Sequence, residues 1–235
     1  MNQSPPRNLP YAAVVPVFNP EPGLVPFCRR VAERFAAVVV VDDGSVEGAD
    51  AFSALPDAVT VLRHAANAGK GRAMKTALAW LRANRPDLAG VVFADGDGQH
   101  RLEDAVAVAE RSLATDRVVF GVRDFSAKGV PFRSWWGNRW AAAEVWLLFG
   151  FCLADTQTGL RAVPRRLFDG LLTLRGERFE YEAGWFGRLK RLGEPILQVP
   201  VRTIYRAENR ASHFHPLKDT LLTQRALFSR DDAEG

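Results

Sequence analysis

Val91-Val92-Phe93-Ala94-Asp95-Gly96-Asp97-Gly98-Gln99-His100 is the stretch on which the reading of this chain turns. An apolar run stops abruptly at two carboxylates and an amide. The run has the character of a strand buried on both faces of a parallel sheet, where polar alternation is lost. If the extended conformation continues past Ala94, side-chain alternation puts Asp95, Asp97 and Gln99 on one side. Three oxygen donors then sit together at the carboxyl end of a strand. Hard cations such as Mg²⁺ and Mn²⁺ take this ligand set, and Mg²⁺ shares its shell with substrate phosphates. Gly96 and Gly98 leave room for a ligand near the backbone. The same letters suit a plain polar turn, since Asp and Gly are turn formers, so the flanking sequence has to decide.

On the amino-terminal side the pattern is a regular alternation of strand and helix. Tyr11–Val17 reads as a first strand, followed by a loop through Pro16, Asn19, Pro20, Pro22 and Gly23. Leu24, Phe27, Val31 and Phe35 recur at helical spacing and predict a helix over 24–35. Val38–Val41 is a second buried strand, closed by Asp42-Asp43-Gly44-Ser45, and Val59–Arg63 a third. The loop Asn67-Ala68-Gly69-Lys70-Gly71 leads into a helix through Met74, Leu78 and Leu81. After the central stretch come a helix through Leu102–Leu113 and a strand over Arg117–Gly121. Such alternation predicts an α/β fold on a mostly parallel sheet flanked by helices.

The carboxyl-terminal half changes character. Val122–Val130 reads as a polar loop and Arg133–Gly150 as an aromatic-rich helix with Trp135, Trp136, Trp140 and Trp146. Asp155–Arg161 is a polar turn. Pro164–Leu174 and Glu182–Leu192 are expected helices, Ile196–Tyr205 one or two strands, and Leu217–Phe228 a last short helix. No linker separates the halves. We expect one domain over 1–235, with a nucleotide-binding half at about 11–121 and an elaboration at about 122–228 that completes the site.

Composition bounds the function. The chain has 235 residues, 47% hydrophobic and 25% charged, enough for a packed core and unlike a disordered chain. A net charge of +4 suits an anionic ligand or membrane surface. Cys28 and Cys152 form no metal or redox motif, so a reduced, cytoplasmic setting is expected. Met1–Pro10 lacks an apolar signal core, and no apolar stretch reaches the length of a membrane span. The expectation is a soluble or peripheral protein.

Open α/β sheets bind ligands at the carboxyl ends of their strands. Pro16–Asn19, Asp42–Ser45 and Asp95–His100 fall there, and Asn67–Gly71 is expected at the same edge. This inventory fits a nucleotide. Gly69-Lys70-Gly71 lacks the spacing of a P-loop, and Gly96-Asp97-Gly98 lacks the third glycine of a dinucleotide fingerprint. Its two carboxylates would also repel a bare pyrophosphate, so a metal-bridged diphosphate is the better reading. The adjacent Asp42 and Asp43 repel one another and call for a positive partner or ligand.

The chain resembles glycosyltransferase family 2, on the GT-A fold, and more narrowly its dolichyl-phosphate mannose synthase-like branch. The resemblance rests on an ordered set: Pro16-Val17-Phe18-Asn19, Val40–Ser45, Asn67–Gly71, Asp95–His100, Gly121-Val122-Arg123, Asp155–Arg161, Phe179-Glu180-Tyr181-Glu182 and Ser212-His213-Phe214. It spans about residues 11–225. It implies that Pro16, Phe18, Asn19, Asp42, Asp43, Asn67, Lys70 and Gly71 serve the nucleotide sugar, and that Asp95, Asp97 and Gln99 hold the metal. Arg123 and Arg133 would bind an acceptor phosphate, with Asn138, Asp155, Arg161, Ser212 and His213 on the acceptor side. Relatives often carry a second basic residue after the position of Arg133; here the run is Arg133-Ser134-Trp135-Trp136-Gly137-Asn138.

The expectation is therefore an inverting, Mg²⁺- or Mn²⁺-dependent transferase. It would move a hexose from a nucleotide-diphosphate sugar (GDP- or UDP-) to a polyprenyl phosphate at the cytoplasmic membrane face, with no nucleic acid as partner. Tryptophan beside Arg133 and Arg139 suits the headgroup region, although a core role for the tryptophans is the simpler alternative. A hydroxyl acceptor would need a base, and Glu180 and Glu182 are candidates on one side of a presumed strand. A non-catalytic nucleotide-sugar binder and a nucleotidyltransferase are the rivals.

Overall fold

The structure is a computed structural model and describes residues 8–124 and 132–202 (of 132–135, the backbone). Among them seven strands form one sheet: β1 (Leu9–Val17), β2 (Phe35–Asp42), β3 (Val59–Arg63), β4 (Gly90–Phe93), β5 (Val118–Arg123), β6 (Arg161–Pro164) and β7 (Ile196–Val201). The spatial order is β3-β2-β1-β4-β6-β5-β7. Only β6 among these runs antiparallel, between β4 and β5. The helices are α1 (Leu24–Ala32), α2 (Lys70–Asn84), α3 (Leu102–Thr115), α4 (Phe132–Phe149), α5 (Phe168–Leu172) and α6 (Glu180–Arg191).

The valine-rich strands are continuous apolar runs because both their faces are covered. Val39, Val41, Val91 and Phe93 pack on one face against Met74, Leu78 and Leu81 of α2 and Trp185 and Leu189 of α6. Val38, Val40, Val92 and Ala94 pack on the other against Leu24 and Val31 of α1 and Ala105 and Ala109 of α3. Each strand of this centre thus ends its apolar part where the helices stop, and its polar residues emerge at one edge. β1, β2 and β4 deliver Pro16–Asn19, Asp42–Ser45 and Asp95–His100 to that edge, as the register of the parallel pairs requires.

Several boundaries differ from expectation. α1 stops at Ala32, and Phe35 opens β2 opposite Leu9. Its helical spacing was a coincidence of two buried elements meeting across a two-residue turn, Glu33-Arg34. β5 runs on to Arg123, held by β7 through Val122 and Arg123. The helix expected from Pro164 is in part a strand: Pro164 ends β6, a 3₁₀ turn follows at Arg165–Leu167, and α5 covers five residues. Four residues are too few to display a strand period. The tryptophans of α4 that are described with side chains are not core: Trp136, Trp140 and Trp146 are 58%, 69% and 59% exposed. Tyr205 and the Leu217–Phe228 segment lie outside the described residues.

Candidate active site

Asp95 leaves β4 at the sheet edge and meets a cation at once. Lys70 Nζ lies 2.7 Å from Asp95 Oδ1 and 2.9 Å from Glu182 Oε2. Lys70 reaches this point because α2 begins there, not after Gly71 as the sequence suggested. Gly69 has φ +106°, and a Cβ on it would stand 2.3 Å from the Glu177 carbonyl, so the loop fits only with glycine. Gly159 is equally constrained: a Cβ would stand 1.9 Å from Asp95 Oδ2. The turn before β6 therefore presses directly on the carboxylate.

The charges are mutually tuned. Burial pushes the Asp95 carboxyl up, but the Lys70 ammonium and the His100 ring outweigh it and hold the group well below the usual carboxylate range. Burial likewise disfavours the Lys70 ammonium, yet Asp95 and Glu182 keep it charged and raise its pKa. Asp97 goes the other way, raised by burial and then by the charge of Asp95. Of two neighbouring carboxylates, one has its compensating cation within the protein and the other is short of one.

The extended conformation does not continue to Gln99. The chain turns at Gly96–Asp97, Gly98 takes φ +68°, and the Gln99 N–H donates to Asp97 Oδ1 at 2.9 Å. This is the Asx-turn geometry that Asp-x-Gln permits. Even so, Asp95, Asp97 and Gln99 line one cavity of about 80 Å³, together with His100, Arg123 and Gln157. A larger opening of about 360 Å³ lies beyond Gly98 and His100, between Phe27 and Arg101. Its charged lining is engaged in ion pairs of Arg30 and Arg101 with Glu103, so the smaller cavity, where the carboxylates converge, is the candidate site.

The other singled-out residues fall into place around it. Arg123 is gripped by the fully buried Asp155, Nε to Oδ2 at 2.6 Å and Nη2 to Oδ1 at 3.1 Å, which fixes its guanidinium at the cavity wall. Asn138 clasps the turn behind it, donating to the Ala154 carbonyl and accepting from the Thr156 N–H. Arg161 is buried, donates to the carbonyls of Thr158, Thr156 and Glu182, and stacks over Phe120 and Trp185. Glu180 and Glu182 lie on the first turn of α6, not on a strand. Two helical positions diverge by about 200°. Glu180 accepts from the Glu177 and Arg178 N–H groups of the turn before the helix, while Glu182 faces Lys70 and Arg161.

At the ends of β1 and β2, Asn19 accepts from the Val46 and Glu47 N–H groups and tethers the β1 loop to the β2 loop. Asp42 accepts from the Ser45 N–H at 2.8 Å. Asp43 is turned inward and holds the Ala68 and Gly69 N–H groups with its two oxygens. Pro16 and Phe18 are half-buried beside them, and Asn67 is exposed. Sequence reasoning missed His64 and Thr76, which stand behind Asp43; a lone histidine after a strand carries no signal. The side chain of Arg133, and Ser212 and His213 altogether, lie outside the described residues. Among the described residues no three His, Cys, Asp or Glu side chains converge as a metal cage. Asp95 and Asp97 present two carboxylates to the cavity; a hard cation held by two such groups would take the rest of its shell from other oxygens, as Mg²⁺ does on phosphates.

Comparison with known proteins agrees with this fold. The glycosyl transferase family 2 model matches residues 12–172. An uncharacterized protein of Methanocaldococcus jannaschii is 29% identical over 198 residues, 82% of this chain and 80% of the relative. A UDP-N-acetylglucosamine–dolichyl-phosphate N-acetylglucosaminyltransferase of Methanococcus voltae is 32% identical over 154 residues, 63% of this chain and 60% of that protein. Mannosyl-3-phosphoglycerate synthase from Rubrobacter xylanophilus superposes with a TM-score of 0.67 at 22% identity, covering 93% of this chain and 71% of that one. The 4-diphosphocytidyl-2C-methyl-D-erythritol synthase of Anaerococcus prevotii reaches 0.53 at 9% identity, over 92% and 95%. These two structures share the fold, which is of GT-A type, and carry nothing further. The family match covers more than half of the chain: the protein belongs to glycosyl transferase family 2 and is a nucleotide-sugar glycosyltransferase.

Proposed function

We propose that this transferase moves a hexose from a UDP- or GDP-sugar to a polyprenyl phosphate, with inversion, as a member of the dolichyl-phosphate mannose synthase-like branch. One observation carries the reading: a pair of carboxylates and a fixed guanidinium, Asp95 and Asp97 with Arg123, line the same cavity. The first two suit a cation on a donor diphosphate, and the third suits an acceptor phosphate. The name of the Methanococcus voltae relative, with a dolichyl-phosphate acceptor, supports the choice of a lipid phosphate.

Asp95, Asp97 and Gln99 would hold Mg²⁺ or Mn²⁺, which when bound supplies Lewis-acid neutralisation of the leaving diphosphate. The loops Pro16–Asn19, Asp42–Ser45 and Asn67–Gly71 enclose the nucleoside. Arg123, braced by Asp155, orients the acceptor phosphate, with Arg133 assigned the same task. The phosphate oxygen attacks the anomeric carbon opposite the departing diphosphate, and the configuration inverts. A phosphate monoester has a second pKa of about 6 and is already largely dianionic at pH 7, so no base is needed. The carboxylates of α6 fit this scheme. Glu182 is closed in by Lys70 and Arg161 and Glu180 by two backbone N–H groups, so neither is poised to take a proton from a hydroxyl acceptor.

The acceptor would be met at the cytoplasmic membrane face. Trp136, Trp140, Trp146 and Leu147 stand exposed on α4 beside Arg139, with Lys190, Arg191 and Leu192 at the end of α6. No described helix is long and apolar enough to cross a membrane, so contact would be made from one side. The chain works as one catalytic unit over 1–235 in this reading. The test supplies labelled UDP- and GDP-sugars with Mn²⁺ and either a polyprenyl phosphate or soluble sugars. We expect transfer to the lipid phosphate with inverted anomeric configuration; transfer to hydroxyl acceptors alone would refute it.

A further inference from the structure

Asp43 looks from the sequence like a ligand of the nucleotide, but its carboxylate is almost wholly buried and already engaged. Oδ2 accepts from the Gly69 N–H at 2.7 Å, and Oδ1 accepts from the Ala68 N–H at 2.9 Å. The third contact is His64, whose Nδ1 lies 2.7 Å from Oδ1. On its far side, His64 Nε2 lies 2.9 Å from Thr76 Oγ1, on α2. An ionised carboxylate only accepts. Nδ1 therefore carries the proton toward Asp43, and in the neutral ring Nε2 accepts from the Thr76 hydroxyl.

This row of contacts runs from α2 through the end of β3 to the end of β2 and ends on two backbone amides. The next residue after those amides is Lys70, the cation between Asp95 and Glu182. The loop between has no slack. Gly44 backs onto it so closely that a Cβ there would stand 2.4 Å from the Ala66 carbonyl carbon, and Gly69 is pressed on the Glu177 carbonyl. A loop wedged on both sides and pinned by one carboxylate transmits the position of that carboxylate to its neighbour.

We propose that His64 is a positioning residue of the donor site: it locks Asp43 onto the Ala68–Gly69 backbone and thereby sets Lys70 against Asp95 and Glu182. Asp43 then serves the nucleotide sugar through Lys70, not by contact with the base or ribose. The proposal rests on the reading of Lys70 and Asp95 as donor-site residues.

The test is a double-mutant cycle read by calorimetry with UDP and GDP in the presence of Mg²⁺. His64→Ala should weaken the nucleotide that the unmodified protein binds by about tenfold, the size of one lost charge-assisted hydrogen bond. The same substitution in a Lys70→Met background should cost less than about twofold. His64→Asn, whose amide can donate to Asp43 as the ring does, should recover most of the loss. In all backgrounds His64→Ala should speed hydrogen exchange at the Ala68 and Gly69 amides. If His64→Ala folds poorly, Thr76→Val removes only the partner behind the ring and should give a smaller loss with the same dependence on Lys70. Unchanged affinity in His64→Ala, or an equal loss with and without Lys70, would overturn the proposal. Failure of the unmodified protein to bind either nucleotide, with exchange at Ala68 and Gly69 still accelerated by His64→Ala, would instead overturn the donor reading and with it the link to the site.

Discussion

Asp97 is the residue at which the protein's own chemistry is least balanced. Its carboxyl is raised by burial and by the charge of Asp95, whereas Asp95 is held down by Lys70. A carboxyl with a raised native pKa favours folding only while the native state retains its proton. That contribution is present below the unfolded value of about 4 and is lost as the pH rises through the raised native one. At pH 7, above the unfolded value, that contribution is diminished, and Asp97 costs stability. Asp97→Asn should raise the melting temperature of the metal-free protein at pH 7 and leave it unchanged near pH 3, while lowering transfer by on the order of 10³-fold. Mn²⁺ should raise the melting point of the parent and not of the variant; near-normal turnover in Asp97→Asn would remove Asp97 from the site. Lys70→Met tests the other half of the balance. Two carboxylates lose their shared cation, and urea unfolding should report a loss of about 1–3 kcal/mol, tempered by the partial exposure of Asp95. At this scale much of the site was legible, because Asp-x-Asp at a strand end and Lys70 in a glycine loop are unusual local chemistry. His64 and Gly159 were not, since their roles exist only where β3, α2 and the turn before β6 meet.

Among the elements, the long buried strands were readable and the short or two-faced ones were not. Val59–Arg63 matches β3 at both ends, because a run of β-branched residues bounded by turn formers has one solution. β6 escaped notice because its four residues owe their strand state to β4 and β5 on either side. The start of α6 was misread since Glu180 and Glu182, taken two at a time, suit a strand, and only their divergent partners, the Glu177 and Arg178 N–H groups for one and Lys70 for the other, declare a helix. α4 was legible as a helix, but its orientation was not: aromatic residues occur on both its sides, and tertiary packing buries Val145 while leaving Trp136, Trp140 and Leu147 outside. Those three share one stripe at spacings of four and seven. Trp136→Ser with Trp140→Ser should leave the melting temperature within about 1 °C, as exposed positions do. The same pair should lower binding to anionic vesicles by on the order of tenfold, measured by co-sedimentation. A fall in melting temperature of several degrees would show the stripe to be packed inside the protein in solution.

On the proposed reading, one sheet of the whole molecule would serve both substrates of an interfacial reaction. β1, β2 and β4, which would take the donor, and β5, β6 and the turn that clasps Arg123, which would take the acceptor, are neighbours in that sheet, so the two substrates would meet without a hinge between the two sets of strands. The net charge of +4 biases the molecule toward anionic surfaces, and exposed Arg139 on α4, Lys190, whose ammonium donates to the Leu148 carbonyl of α4, and exposed Arg191 add to that bias. Screening acts on this term alone. The Debye length shrinks from about 10 Å at 0.1 M salt to about 3 Å at 1 M, while burial of tryptophan at the headgroups is not weakened by salt. Two acceptors therefore separate the contributions. With a long polyprenyl phosphate embedded in anionic vesicles, raising salt from about 0.05 to 0.5 M should raise the apparent KM several-fold with kcat little changed. With a short-chain, water-soluble polyprenyl phosphate, the same change acts only on the ion pair between Arg123 and the acceptor, and the rise should be smaller. Substituting neutral for anionic vesicles should reproduce the effect of salt. An embedded acceptor used equally well at both salt concentrations and on both vesicle types would mean that the basic face plays no part in reaching the membrane, and that Trp136, Trp140 and Leu147 alone bring the protein to its lipid.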